Sequence, residues 1–195
     1  MSSTNRSNAR DSHISDYYVT PIASIDNFLS VAIDNIKDLK DKFKNGKILD
    51  CCAGGDIKNS MSYPTSIKLQ FPNADIETID IRSDSNANIK TDYINYKLDY
   101  KPDIIITNPP FNQALNIIKK ALNDINDGGY VIMLLRLNFL EGKSRFDFWK
   151  NNMPEWVFVH HKRMSFTNKG TDSVAYAHYI WRKGYNPEYI KTVII

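Results

Sequence analysis

The segment Asp103-Ile104-Ile105-Ile106-Thr107-Asn108-Pro109-Pro110-Phe111 constrains this chain more than any other. An unbroken apolar run with no polar alternation describes a strand covered on both faces. The two prolines behind it can continue neither a helix nor a β-ladder. Pro109 also drives Asn108 out of helical geometry. The strand therefore ends at a fixed place on a stiff corner. Residues 113–125 then carry Leu115, Ile118, Ala121 and Leu122 at helical spacing. Buried strand, rigid corner and helix form half of a β-α-β unit, the building block of a mainly parallel sheet covered on both faces.

The same alternation runs along the chain. Residues 21–43 place Ile25, Phe28, Leu29, Ala32, Ile33, Ile36 and Leu39 on one helical stripe that begins at Pro21 and stops at Asn45-Gly46. Residues 47–52 read as a strand entering the turn Ala53-Gly54-Gly55-Asp56, and residues 60–71 as a helix that Pro64 holds to a late start. Residues 76–81 and 88–92 are short strands carrying Asp80 and Asp92 near their ends. Residues 130–137 form another apolar strand, opened by Gly128-Gly129, and residues 141–151 a helix bearing Phe146 and Trp149. Residues 156–160 and 174–182 read as the last two strands. The prediction is a single-domain α/β fold with a mostly parallel seven-stranded sheet, helices on both faces, and ligands at the carboxyl ends of the strands. A chain of 195 residues, 42% of them hydrophobic, suits one such domain.

Residues 1–15 are polar and rich in Ser and Asn, and read as a disordered tail ahead of a domain covering 16–195. No stretch approaches the apolar length of a membrane span, so a soluble protein without membrane association is expected. Cys51 and Cys52 are neighbours, which on a strand sends their side chains to opposite faces and builds neither a disulfide framework nor a zinc site. A reducing cytoplasm fits that usage. His160 and His161 are likewise adjacent, with no carboxylate or thiol cluster around them, so no metal is expected. A formal charge of +3 permits nucleic acid without demanding it.

The turn Ala53-Gly54-Gly55-Asp56 does not match G-x-G-x-x-G, and no Lys-Ser or Lys-Thr follows at P-loop spacing. What remains is Asp50 before a glycine corner and Asp80 closing the next strand, where a carboxylate meets the hydroxyls of a ribose. The Asn108-Pro109-Pro110-Phe111 corner supplies an amide and carbonyl acceptors with no proline N–H beside them. Such acceptors suit a planar conjugated amine, whose nitrogen becomes nucleophilic when two fixed oxygens hold both its hydrogens in a pyramidal arrangement. The matching electrophile is the methyl of a sulfonium, which leaves as a neutral thioether and requires no catalytic histidine.

From about Tyr17 to Arg182 the chain resembles the N6-adenine DNA methyltransferases that use S-adenosylmethionine, in particular small orphan or phage-borne ones. The resemblance implies that Asn108 and the Pro109 carbonyl hold the target amine, that Pro110 completes the corner, and that Phe111 stacks on a base extruded from the duplex. It implies that Tyr18, Thr20 and Pro21 lie against the cofactor and that Asp50, Ala53 and Gly54 sit beside its methionine moiety. Asp80 would take the ribose, Ile81 would pack on the cofactor adenine, Asp92 would meet its amino group, and Asn108 would border both ligands. Phe166 resembles an aromatic opposite the flipped base, with Arg163 and Lys169 as phosphate-binding neighbours.

Cys51 and Asp56 stand where the family commonly has a proline and its final glycine. No block is long enough for a separate target-recognition domain, so sequence specificity is expected to be short, loose or shared across a homodimer. Arg136, Lys143, Arg145, Lys162, Arg163 and Lys169 are expected to gather at the carboxyl edge of the sheet and hold a phosphate backbone. The same corner also serves methyl transfer to adenine in RNA or to a protein glutamine amide. A reading of another class keeps the pocket as a non-catalytic nucleic-acid-binding module.

Overall fold

A computed structural model describes residues 18–166 and 173–195. The elements run α1 (Ile22–Asn35), α2 (Leu39–Asn45), β1 (Lys47–Asp50), α3 (Ser62–Gln70), β2 (Asp75–Asp80), β3 (Ile89–Lys90), β4 (Ile104–Thr107) and α4 (Ala114–Asp124). They continue with β5 (Tyr130–Arg136), two short 3-10 turns (Leu137–Leu140 and Lys143–Arg145), α5 (Phe146–Asn151), β6 (Trp156–Val159), β7 (Tyr176–Arg182) and β8 (Lys191–Ile194). The strands form an eight-stranded sheet in the order β3-β2-β1-β4-β5-β7-β6-β8. Every pairing is parallel except those of β7, which runs against β5 and β6.

The alternation of side chains explains how one sheet covers two cores. On β4, Ile104 and Ile106 face the layer built by α1, α2 and α3, while Ile105 faces α4. On β5, Tyr130, Ile132 and Leu134 join the first layer and Val131, Met133 and Leu135 the second. A strand buried on both faces has no polar side to show, and this is why the isoleucine run lacks alternation.

The structure departs from the sequence reading in four elements. The expected helix over residues 21–43 is two helices, because Ile36 turns to an extended conformation (φ −116°, ψ 105°) and stays buried. Asp38 in the break accepts a hydrogen bond from the Tyr130 hydroxyl at 2.6 Å, a tertiary contact that helical periodicity does not reveal. The late helix start ascribed to Pro64 is not observed: Pro64 is the third residue of α3, where a missing N–H costs no intrahelical bond. The helix expected over 141–151 is a 3-10 turn followed by the short α5. The sheet has eight strands rather than seven, because residues 191–194 add β8 in parallel beside β6. The polar residues 1–15 lie outside the described residues, and no described helix is long and apolar enough to cross a membrane.

Candidate active site

The carboxyl ends of β1, β2 and β4 open onto one cleft, where ligands of α/β folds bind. Tyr18 and Thr20, on the stretch entering α1, form one side, and Cys51, Cys52, Ala53 and Gly54 follow β1. Ser62 and Tyr63 come from α3, Asp80, Ile81 and Arg82 from the end of β2, and Asp92, Tyr93 and Ile94 from beyond β3. Asn108, Pro110, Gln113 and Ile117 complete the wall where β4 passes into α4.

The turn after β1 is pinned across the end of β2. Ala53 N–H donates to the Ile79 carbonyl at 2.9 Å, and Gly54 N–H to Asp80 Oδ2 at 2.7 Å. Gly54 and Gly55 adopt φ of 62° and 73°, the left-handed region that favours glycine. A side chain at Gly55 would also bring Cβ to 2.7 Å from Met61 Cγ. Asp56 accepts the N–H groups of Lys58 and Asn59 at 2.7 and 2.9 Å and so folds its own loop. Because β1 ends at Asp50, Cys51 and Cys52 belong to the turn; both pack on the same core layer rather than on opposite faces of a strand.

Asp50 is fully buried beneath this turn. Its Oδ1 accepts the Cys52 N–H at 3.3 Å, while Oδ2 is buried without a hydrogen-bond partner among the described residues. Burial pushes the Asp50 carboxyl up to about 7; the Thr107 and Cys52 interactions pull it down, and the Asp80 charge adds to the rise.

Asp80 presents a different environment at the cleft floor. Its Oδ2 holds Gly54 N–H and its Oδ1 holds Arg82 N–H at 2.9 Å. Each oxygen keeps a further lone pair, so the carboxylate has capacity for two vicinal hydroxyls. Ile81, beside it, is 51% exposed and offers the cleft an apolar face. Asp92 lines the cleft too, but its carboxylate caps its own turn, accepting Ile94 N–H at 3.0 Å and Asn95 Nδ2 at 2.6 Å.

The corner after β4 orients its amide through a distant residue. Asn108 Nδ2 donates to Thr20 Oγ1 at 3.1 Å, across 88 residues of chain. Its Oδ1 is buried and has no hydrogen-bond partner among the described residues. An unpaired buried acceptor is costly, so its persistence beside a cleft marks a place for an incoming donor. Gln113 N–H bonds the Pro110 carbonyl at 2.9 Å and closes the turn into α4, with Pro109 buried behind it. Pro21 does not line the cleft; it precedes α1, and its carbonyl accepts Ser24 N–H at 3.0 Å.

Beyond Asn108 lies an aromatic circuit. Phe111 stacks near Tyr18 at 5.9 Å and lies tilted to Tyr176 at 5.8 Å, and Phe166 meets Tyr18 at 5.4 Å and Tyr176 at 5.0 Å edge-on. The Arg136 guanidinium lies over the Phe111 ring at 4.5 Å from its centroid. Arg145 is tied to its own loop through the Phe139 carbonyl at 2.9 Å, and Arg163 donates to the Ser173 carbonyl at 3.0 Å. Lys143 and Lys162 are exposed, and Lys169 lies outside the described residues.

Tyr63 in the cleft wall begins a buried chain that sequence reading did not anticipate. Its hydroxyl is 2.9 Å from His178 Nε2, and His178 Nδ1 is 2.8 Å from His160 Nε2. Phe28 stacks on His178 at 3.8 Å. Burial lowers His160 to about 4, with the neighbouring His161 adding to it, and holds His178 well below the usual histidine range. His161 instead donates Nδ1–H to the Ile195 carbonyl at 2.6 Å. Tyr93, also unanticipated, is buried against the cleft with its hydroxyl on Asp124 Oδ2 at 2.9 Å. Their local sequences carry no signal, because each is fixed by partners remote in the chain. The signal for Cys52 and Gln113 was their place just past strand ends.

No protein-family model matches the sequence, and no curated protein does. In structure the chain is similar to a candidate class I S-adenosylmethionine-dependent methyltransferase from Listeria monocytogenes, with TM-score 0.64 and 15% identity over 91% of this chain and 65% of that one. It is similar to a modification subunit of a candidate type I restriction enzyme from Vibrio vulnificus, with TM-score 0.61 and 12% identity over 93% of this chain and 46% of that one. A candidate RNA methyltransferase from Pyrococcus horikoshii matches with TM-score 0.62 and 15% identity over 86% of this chain and 88% of that one. The chain thus spans less than two thirds of the first two of these structures. At such identities the likeness establishes the fold, that of the class I methyltransferases.

Proposed function

We propose that this protein transfers a methyl group from S-adenosylmethionine to the N6 amino group of adenine in DNA, with the target base turned out of its strand into the Asn108 to Phe111 corner. The observation that carries this reading is Asn108 Oδ1, buried, unpartnered among the described residues and held in orientation by Thr20 at the edge of the cleft. The residues around that cleft fit the cofactor. Asp80 has acceptor capacity for a ribose, Ile81 an apolar face for an adenine, and Ala53 and Gly54 a close backbone approach beneath a methionine chain. Tyr18 and Thr20 close the other side, and Asp92 borders the adenine end.

Bound there, S-adenosylmethionine supplies an electrophilic methyl on a sulfonium whose departure needs no acid. The chain's own task is to prepare the nucleophile. Asn108 Oδ1 and the Pro109 carbonyl accept the two amino hydrogens, which draws the nitrogen lone pair out of conjugation and aims it at the cleft. The corner is rigid before substrate arrives, so little reorganisation accompanies the reaction. Phe111 supplies the flat face against which the ring is held.

DNA is favoured because the Tyr17-Tyr18-Val19-Thr20-Pro21 and Arg163-Met164-Ser165-Phe166 segments resemble those of the DNA-acting subgroup; the structural likenesses include both a modification subunit of a candidate restriction enzyme and a candidate RNA methyltransferase and do not choose between them. The test is incubation with methyl-labelled S-adenosylmethionine and, separately, unmethylated DNA, RNA and a protein extract, followed by nucleoside and amino-acid analysis. N6-methyladenine from DNA is the expected product. Label confined to RNA or to glutamine would move the substrate while keeping the chemistry. Bound cofactor with no label anywhere would identify a non-catalytic binding module.

A further inference from the structure

Beyond Asn108 the rings of four residues pack together. Tyr18, Phe111, Tyr176 and Phe166 touch one another in a circuit with ring centroids 5.0 to 5.9 Å apart. A flat amine that presents its hydrogens to Asn108 Oδ1 has to lie against Phe111, the next ring along the corner. The Arg136 guanidinium sits over one face of that ring, 4.5 Å from the Phe111 centroid, at the distance of a stacked planar group.

Arg136 reaches this place from the last residue of β5, where it pairs in register with Tyr176. Its Nε is buried and has no hydrogen-bond partner among the described residues. A guanidinium has five donors and no acceptor, and leaving a buried one unpaired costs free energy that an incoming acceptor recovers. Its planar fork suits a phosphate better than any neutral group.

We propose that Arg136 is a substrate-recognition residue: it covers one face of Phe111 in the free protein and yields it to the ring that carries the target amine. The displaced guanidinium then pairs with a phosphate of the same strand. This rests on the reading of the corner as the methyl-accepting site. It makes a nucleic-acid strand, which brings the ring and the phosphate together, a better substrate than a protein amide, which brings no phosphate. No covalent step is added to the reaction; one planar partner of Phe111 is exchanged for another.

The test uses the full chain as wild type, Arg136→Ala and Arg136→Lys, with two single-stranded oligodeoxynucleotides of one sequence containing one adenine. One has ordinary phosphodiesters, and in the other the linkages flanking the adenine are neutral methylphosphonates. The expected result is that wild type prefers the charged strand in kcat/KM by about tenfold and that Arg136→Ala abolishes this preference. Its log KM against log salt slope should also fall by about one, while Arg136→Lys retains part of both. Because the readout is a ratio within each protein, a partial loss of folded enzyme does not move it. Arg136→Ala with the preference and salt slope of wild type overturns the inference and leaves the proposed reaction standing. A wild type that labels neither strand, while labelling protein, overturns both.

Discussion

Asn108 illustrates how a single side chain acquires direction. Its amide nitrogen is occupied by Thr20 Oγ1 at 3.1 Å, so the oxygen is the end left for a ligand. Replacing Asn108 with Ala removes that acceptor without altering Asp80, Ala53 or Gly54, the residues proposed to hold the cofactor. Methyl transfer should fall about 100-fold or more in kcat, the scale on which single preorganised hydrogen-bond partners act. Cofactor affinity should stay within about threefold, as titration calorimetry would show; unchanged turnover would remove the role assigned to the amide. The residue type and its place after a buried strand were legible in the sequence. Thr20 as the orienting partner was not, because the contact spans 88 residues and depends on how α1 folds over the sheet. Tyr63 and Tyr176 escaped for the same reason: a tyrosine in an apolar segment reads as core until its hydroxyl or ring partner is placed.

Among the elements, those with an uninterrupted local signal matched their expectations most closely. β4 and β5 are apolar runs bounded by Pro109 and by Gly128-Gly129, and the expected strands agree with the observed ones to within a residue. The break between α1 and α2 is invisible in the sequence because Ile36, Leu39 and Phe43 all remain buried on either side of it. β8 is a short run whose pairing with β6 alone defines it as a strand. The turn after β1 allows the clearest test at this scale. Gly55 combines φ 73° with a Cβ position 2.7 Å from Met61 Cγ, whereas Gly128 has φ 70° and nothing within 4 Å. Gly128→Ala should therefore cost about 1 kcal/mol of backbone strain alone. Gly55→Ala should cost more, about 2 kcal/mol, and should weaken cofactor binding because the displaced turn carries Ala53 and Gly54. Denaturant melts and cofactor titration of the two variants separate strain from steric displacement; equal losses in both would mean that the turn tolerates the added methyl.

Across the whole molecule, buried titratable groups connect the cleft to the core and set how stability responds to acid. The Tyr63, His178 and His160 chain joins α3, β7 and the end of β6, and both histidines are held neutral by burial. Their folded values lie below the unfolded 6.5, so stability is fully present above about 6.5 and is lost as pH falls towards 4. Asp50 acts in the opposite sense: its folded value of about 7 exceeds the unfolded 3.8, so its contribution is present at low pH and lost as pH rises through 7. Between about pH 4 and 6.5 the unfolded chain binds protons at both histidines that the folded protein refuses, while the folded protein keeps one at Asp50. The two histidines outweigh the one carboxyl, so the fold loses stability on acidification through this window. Thermal melts between pH 7 and 5 should show that decline. In His178→Gln one of the two refusing histidines is gone and the balance with Asp50 closes, so the decline should flatten even if the variant starts from a lower midpoint. A slope equal to that of wild type would show that His178 is not held neutral, and would detach the acid response from the chain that leads into the cleft.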